Sequence, residues 1–176
     1  MTKTTPRYDL PNAAPEPLRL VQSFVNTINL ENGDDWLARW LTDQRVKPTA
    51  QCVDQARGVR ESIRELLYAN NGQGANGDAR RLLSEVAAEG QLTIDFTSGS
   101  IVARAPGLAG ALGRVVATVF TAMADGSWAR LKACRNHHCR WAFYDYSKNR
   151  SASWCSMQLC GNRTKTRAYR ARQTRA

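Results

Sequence analysis

Residues 134–160 read CRNHHCRWAFYDYSKNRSASWCSMQLC and hold four of the five cysteines in the chain. The four form two matched pairs, Cys134 with Cys139 and Cys155 with Cys160, and fifteen residues separate the pairs. Each pair encloses four residues, a spacing that lets two short loops bring four thiolates around one zinc ion. Because four cysteines complete a tetrahedral shell, the predicted site is structural and leaves no position for water or substrate.

The first loop also carries His137 and His138, so a mixed site of three cysteines and one histidine is an alternative. The complete set of four cysteines favours the all-thiolate site, with the histidines at the surface or donating hydrogen bonds to the ligands. In the second loop, five residues of regular helix would turn the two cysteines about 500° apart, so both cannot face one ion. The spacing therefore predicts Cys155 just before a helix, Cys160 in its first turn and Ser156 as the cap.

Aromatic residues are concentrated between the two cysteine pairs. We interpret them as a short strand and a small aromatic core, because a module of this size must use every large side chain to fold. Stacking on exposed bases is the alternative interpretation. The aromatic residues concerned are Trp141, Phe143, Tyr144, Tyr146 and Trp154.

The net charge of +10 is concentrated in residues 133–176, which contain ten Lys or Arg and one acid, Asp145. Four zinc-bound thiolates would lower this local charge by about two. A helix running from the second cysteine loop to about Gln173 would place Arg163, Arg167 and Arg170 on one face, flanked by Lys165 and Arg172. Such a stripe favours an acidic partner, nucleic acid first, although a solvated basic tail is the simpler alternative.

The rest of the chain predicts a mainly helical domain. Residues 1–16 read as an irregular lead-in, residues 17–132 as the helical domain and residues 133–176 as the zinc module. Apolar spacing predicts a helix after Pro17 that ends near Asn32, and further helices that begin at Asp34 or Asp35, after Pro48 and at Asp78. Residues 70–77 read as a linker, residues 92–104 as a β-hairpin and residues 108–123 as a helix buried on most sides. The predicted fold class is α+β, mainly α, with a basic C-terminal helix on the zinc module.

Composition narrows the functional classes. The first 20 residues lack a signal-peptide core, and no later stretch reaches about 18 uninterrupted apolar residues, so we expect no membrane association. Cysteines in ligand spacing fit the reducing cytosol. We therefore expect a cytoplasmic protein that is associated with the nucleoid when it binds DNA. Cys52 lies on an apolar helical stripe and is expected to be a small buried residue.

The motif Cys134-x4-Cys139-Arg-Trp-x-Phe-Tyr-Asp-x-Ser-x-Asn-Arg-Ser, followed by Trp-Cys155-Ser-Met-x-x-Cys160-Gly161-Asn162-Arg163, closely resembles the CGNR zinc-finger family. The resemblance covers residues 134 to about 172. It implies one structural zinc ion on the four cysteines, and DNA binding by Arg163 and the arginines after it. Members are bacterial transcription regulators, some stress-induced, that usually carry an N-terminal ABATE domain. Residues 20–27, LVQSFVNT, are similar to the opening of that domain.

The leading hypothesis is a zinc-dependent regulator of transcription that binds duplex DNA, with an N-terminal sensing or assembly domain. An RNA or single-strand binder and a protein-interaction adaptor are the alternatives. With only two histidines and no nucleophile beside a base, we do not expect an enzyme. The candidate nucleic-acid-binding residues are Arg140, Lys148, Arg150, Asn162, Arg163, Lys165, Arg167, Arg170 and Arg172.

A small-molecule effector of the N-terminal domain is compatible with the sequence, which identifies no specific ligand. Asn26, Thr27 and either Trp36 or Trp40 could line its pocket. Ordinary core packing is the alternative for the tryptophans, because apolar helical spacing accounts for them fully. The sequence shows no heptad pattern that would define an oligomeric state.

Overall fold

The structure is a computed structural model that describes residues 12–74 and 77–164, together with Thr166 and Gln173. Within these residues the chain forms five α-helices, two β-hairpins, one 3₁₀ turn and one π-helical turn. In chain order the elements are α1 (Leu18–Val25), α2 (Leu37–Asp43), α3 (Ala50–Ala69), α4 (Gly77–Glu89), β1 (Leu92–Asp95), β2 (Ser100–Ala103), α5 (Gly107–Asp125), the 3₁₀ turn (Ser127–Arg130), β3 (Leu131–Ala133), β4 (Ala142–Tyr144) and the π turn (Met157–Gly161).

Helix α5 is the centre of the helical domain and packs against α1, α4 and β2. Its length and apolar composition would also suit a membrane span, but half of it is buried inside the domain, as in the core helix of a globular protein. The expectation that α5 is buried on most sides is only partly right. Phe120 and Met123 lie on its outer face and are 58% and 43% exposed.

Helix α1 is shorter than its apolar spacing predicts. It ends at Val25 rather than near Asn32, because Asn26 and Thr27 turn inward and Ile28 leaves the helix to form a β-bridge with Asp35. The intervening turn closes at Gly33, whose φ of 80° favours glycine. Helix α2 consequently begins at Leu37, two to three residues later than predicted.

Helix α3 begins at a cap that the sequence did not single out. The Thr49 hydroxyl accepts a hydrogen bond from the Cys52 amide and satisfies one of the free donors of the first turn. Cys52 itself is partly buried and packs against the core, as its apolar neighbours predict. Arg60 and Arg64 lie on the buried side of the same helix and are 1% and 0% exposed.

The first hairpin, β1–β2, is antiparallel, with Ile94 opposite Ile101. Its predicted apolar alternation produces only a partly covered face, because Leu92 packs against the core while Ile94 and Phe96 are 65% and 93% exposed. Helices α4 and α5 approach closely beside this hairpin. A Cβ on Gly113 would lie 3.1 Å from the Gly90 Cα, so glycine is what permits the contact.

The second hairpin, β3–β4, joins the helical domain to the cysteine loops. Leu131 and Ala133 in β3, and Ala142 and Tyr144 in β4, belong to the main hydrophobic core. Phe143, on the other face of β4, packs with the four cysteines, Trp141 and Trp154 in a second core. The fold class predicted from sequence, mainly helical with small two-stranded sheets and a four-cysteine module, is confirmed.

Candidate metal centre and nucleic-acid interface

The four cysteines of the two loops converge on one point. Their Sγ atoms all lie within 4.8 Å of one another, with 3.6 Å between Cys139 and Cys155 and 3.7 Å between Cys155 and Cys160. A tetrahedron with zinc–sulfur bonds of about 2.3 Å has edges of about 3.8 Å, so this spacing fits zinc. All four cysteines are free rather than disulfide-bonded, and they are at most 9% exposed.

The thiols are so close that their ionisations are linked. Hydrogen bonds from Cys139 and Cys155 lower the pKa of Cys134, whereas donating those protons to Cys134 raises the pKa of Cys139 and of Cys155. Backbone amides add further donors, from Asn136 and Cys155 to the Cys134 sulfur and from Trp141 to the Cys139 sulfur. A divalent cation that replaces these shared protons removes the competition among the three sulfurs.

The second cysteine loop has the geometry that its spacing predicts. Cys155 precedes the π turn and Cys160 lies within it. The Ser156 side chain accepts a hydrogen bond from the Leu159 amide, which confirms Ser156 as the cap. The residue after Cys160 lies close to two side chains: a Cβ on Gly161 would lie 2.7 Å from the sulfur of the flexible, half-exposed Met157 and 3.3 Å from Trp154 Cδ1.

The two histidines of the first loop lie outside the cysteine cluster. His137 Nδ1 is 3.1 Å from the Tyr68 hydroxyl, and His138 is exposed. The aromatic residues between the pairs mostly form a core, as predicted. Trp141, Phe143 and Tyr144 are at most 9% exposed, whereas Tyr146 is 62% exposed and donates its hydroxyl to the Ala13 carbonyl.

A buried ion pair shapes the loop after β4. Lys132 Nζ lies 2.7 Å from Asp145 Oδ2 and also donates to the carbonyls of Arg150 and Ala152. Burial alone would raise the pKa of Asp145, but hydrogen bonds from Lys132 and Ser147 outweigh burial and hold it below the ordinary value. The only acid of residues 133–176 is therefore committed to an internal contact.

The C-terminal end of α3 anchors the module to the helical domain. Asn71 donates to the carbonyls of Ala133 and Ser153, at 2.8 and 2.9 Å. Arg135 in turn donates twice to the Asn71 carbonyl. The predicted linker at residues 70–77 does connect α3 to α4, but Asn71 within it is only 4% exposed and bonds to two segments of the module.

Helix α1 supplies a second anchor. Asn26 donates to the Ala142 carbonyl at 2.9 Å and accepts from the Ala142 amide at 2.7 Å, so one side chain satisfies both backbone groups of a β4 residue. Gln22 also donates to the Ala142 carbonyl, at 3.1 Å. These are interior contacts, since Gln22 and Asn26 are 1% and 0% exposed.

Arg64 is the third anchor, and it reaches from α3 to the end of α1 and to the first cysteine loop. Its guanidinium donates to the Val25 carbonyl at 2.5 Å, the Arg140 carbonyl at 2.9 Å and Glu61 at 2.9 Å. Arg140 directly follows the zinc-ligand candidate Cys139, so the hydrogen bond from Arg64 fixes the backbone at the end of the first cysteine loop. Sequence reasoning missed this residue, although arginine on an apolar helical stripe is a signal that a buried partner exists.

Of the predicted nucleic-acid-binding residues, one is half-buried, four are exposed and four lie outside the described residues. Arg140 is half-buried, with its guanidinium 4.9 Å above the Tyr68 ring and a buried Nε that has no hydrogen-bond partner among the described residues. Lys148, Arg150 and Asn162 are exposed. Arg163 is also exposed, and its Nη1 lies 2.8 Å from Glu31 Oε1 of the helical domain.

The remaining predicted positions, Lys165, Arg167, Arg170 and Arg172, lie outside the described residues. The helix predicted to carry them does begin as expected. Asn162, Arg163 and Thr164 are helical immediately after the π turn, and Thr166 and Gln173 are helical as well.

Three of the four residues suggested as the lining of an effector pocket, Asn26, Thr27 and Trp40, are buried. The Asn26 side chain is hydrogen-bonded to the Ala142 backbone, and the buried Thr27 hydroxyl accepts a hydrogen bond from Arg60 at 3.1 Å. Trp40 is 5% exposed and packs on Phe24 with ring centroids 4.6 Å apart. These residues are part of the core.

Together, a helical core and a closed four-thiolate module define a zinc-finger protein with an N-terminal helical part. Residues 18–127 match ABATE, a family described as "Putative stress-induced transcription regulator". Residues 130–173 match the CGNR zinc finger. The chain belongs to the ABATE family and carries a CGNR zinc finger, as the sequence motif indicated. A comparison with curated proteins finds no match.

The family membership and the sulfur geometry agree on the metal. A CGNR zinc finger with four clustered cysteines holds one structural zinc ion. Both families are of regulator or zinc-finger type, and neither is an enzyme family.

Proposed function

We propose that the protein is a zinc-dependent transcription regulator that binds duplex DNA through residues 133–176, with residues 17–132 as its sensing or assembly domain. The observation that carries the proposal is the charge of the zinc finger. Residues 133–176 contain ten basic side chains, and their single acid, Asp145, is buried against Lys132. The outer surface of the finger is therefore free of acidic side chains of its own, as contact with phosphate requires.

The exposed basic residues support a division of labour. Lys148 and Arg150 lie in the turn after β4 and are suited to phosphate contacts. Asn162 and Arg163 lie in the first turn after Cys160, where the zinc ion fixes the start of the helix. Arg140 and Arg135 are engaged with Tyr68 and Asn71, so we assign them a structural role first.

The ion pair between Arg163 and Glu31 bears on this interface. Its side chains are 58% and 41% exposed, and an exposed pair of this kind is worth no more than about 1 kcal/mol. A DNA phosphate can displace Glu31 at this low cost. The pair then opposes DNA binding weakly and holds Arg163 in place before contact.

The first test is a fluorescence-anisotropy titration of the full chain with a random-sequence DNA duplex at several salt concentrations. With six or more phosphate contacts, affinity should fall about a thousandfold or more between 50 and 200 mM salt. An affinity that does not change with salt would rule out the proposed interface.

Matched variants locate the contact. Arg163→Gln should weaken binding and reduce the salt slope by about one. Arg81→Gln removes the same charge from an arginine of α4 that is 73% exposed, and should leave binding nearly unchanged. Glu31→Gln should tighten binding up to about fivefold, because it removes the competitor of the phosphate. Equal losses in the two arginine variants would mean that only net charge matters.

Zinc dependence needs a separate measurement. Elemental analysis should find one zinc ion per chain, and removal with a strong chelator should abolish duplex binding until zinc is restored. Selection of bound sequences from a random duplex pool would then identify the site recognised. Duplex binding that survives complete zinc removal would contradict the proposal.

The two alternatives predict different ligands. An RNA or single-strand binder would prefer single strands, but Trp141 and Tyr144, two of the predicted stacking residues, are buried. An adaptor would bind an acidic protein and would not bind nucleic acid at low micromolar concentration. A regulator of this kind is expected in the cytoplasm, on the nucleoid when bound.

A further inference from the structure

A groove lies on the helical domain between α3, α4 and the start of α5, away from the zinc finger. It has a volume of about 380 Å³, within the range of small-molecule sites. Val59, Val86 and Leu112 form its floor and are at most 5% exposed, and Leu82 forms part of the wall. The groove is therefore an apolar recess of a size that suits a small organic molecule.

The rim of this groove is acidic. Asp54 stands on α3, and Glu85 and Glu89 stand one turn apart on α4. Among the described residues, no Lys, Arg or His lines the groove. Asp54 pairs with Arg57 at 2.5 Å and Glu85 lies 3.9 Å from Arg81, but both pairs are solvent-exposed and screened, and neither arginine belongs to the lining.

Gly58 keeps the groove open. It sits in the interior of the 20-residue helix α3, where glycine is less favourable than any residue except proline. Close packing does not require it there, because a Cβ would meet only Leu82 Cδ2, at an ordinary 3.9 Å. A side chain at this position would instead fill the space between Asp54 and the apolar floor.

From these features we propose that the groove binds an organic cation with an apolar body, and so is the effector site of the helical domain. The apolar floor would bury the hydrophobic part of the ligand, and the three carboxylates would hold its positive charge. A small hydrated cation would lose hydration over the floor, and an anion would be repelled by the rim. This site is independent of the DNA interface, so either proposal can fail alone.

The test uses two probes of the same shape and opposite charge, tetraphenylphosphonium and tetraphenylborate, titrated calorimetrically into the full zinc-loaded chain in sodium buffer. Nonspecific attraction to the zinc-loaded chain, which stays strongly positive after the zinc-bound thiolates lower its formal charge of +10 by about two, favours the anion. Preferential binding of the cation therefore requires the local acidic rim. Equal binding of the two probes, or preference for the borate, would overturn the proposal.

Two kinds of variant place the cation in the groove. Gly58→Leu should abolish or weaken its binding at least tenfold while the thermal unfolding temperature stays the same or rises, since leucine is the better helix former. Glu85→Gln and Glu89→Gln should each weaken it about threefold to fivefold, through the lost charge. As control, Arg39→Gln, an exposed charge change on α2, should leave cation binding unaltered. Cation binding that persists unchanged in Gly58→Leu would refute the site.

Discussion

Replacing Arg64 and, separately, Arg57 with methionine compares a buried with an exposed ion pair on the same helix. Arg64 is fully buried and pairs with Glu61 three residues earlier, at 2.9 Å. Arg57 has the same relation to Asp54, at 2.5 Å, but the two side chains are 48% and 69% exposed. The two arginines therefore make the same sequence-local contact in opposite environments.

The loss of unfolding free energy in Arg64→Met follows from the hydrogen-bond acceptors that remain without their donor. In Arg64→Met the carbonyls of Val25 and Arg140 lose a buried donor, at about 1–3 kcal/mol each. Glu61 is 40% exposed and can still pair with Arg60, so its share is small. We expect a total loss of about 3–5 kcal/mol, against about 0.2–1 kcal/mol for Arg57→Met.

Urea unfolding followed by tryptophan fluorescence measures both variants. With a slope of about 2 kcal/mol per M, the midpoint should fall by about 2 M in Arg64→Met and by less than about 0.5 M in Arg57→Met. Zinc transfer to a chromogenic chelator should also be faster in Arg64→Met, because Arg64 holds the carbonyl next to Cys139. Similar midpoints in the two variants would refute the assignment of Arg64 as an anchor.

Three further predictions concern the packing of the fold. Lys132→Met should lower the unfolding free energy by about 3–5 kcal/mol in urea titration, because it leaves Asp145 buried without its cation. Since the pKa of Asp145 is lower in the folded protein than its ordinary 3.8, its stabilisation is complete above about pH 4 and is lost as pH falls through the folded value. Urea midpoints between pH 5 and 3 should therefore vary less in Asp145→Asn. Gly110→Ala should lower the melting temperature, because its Cβ would lie 2.0 Å from the Ala105 carbonyl oxygen.

The sequence predicted best where one local rule sufficed. The offset between Cys155 and Cys160 rules out a regular helix through both, and the structure places them on either side of a helix start. Helices α3 and α4 follow from apolar periodicity, with starts predicted after Pro48 and at Asp78. Such features depend on neighbours along the chain, so no tertiary information is needed.

The anchors of the zinc finger were not predictable in this way. Asn26, at the end of α1, bonds to Ala142, 116 positions later, and Asn71, in the connection between α3 and α4, bonds to Ala133. Their partners are backbone groups, which carry no residue-type signal. Phe120 shows the opposite error, since its apolar character predicted burial that the neighbouring elements do not supply.

The β3–β4 hairpin is a shared wall between two interiors. One face, with Leu131 and Tyr144, closes the helical core, while Phe143 on the other face closes the metal core. A zinc finger grafted onto another protein would carry the first face into water as an uncovered apolar surface. The zinc finger is thus not an independently transferable module. A host protein would have to provide a complementary apolar surface as well as zinc.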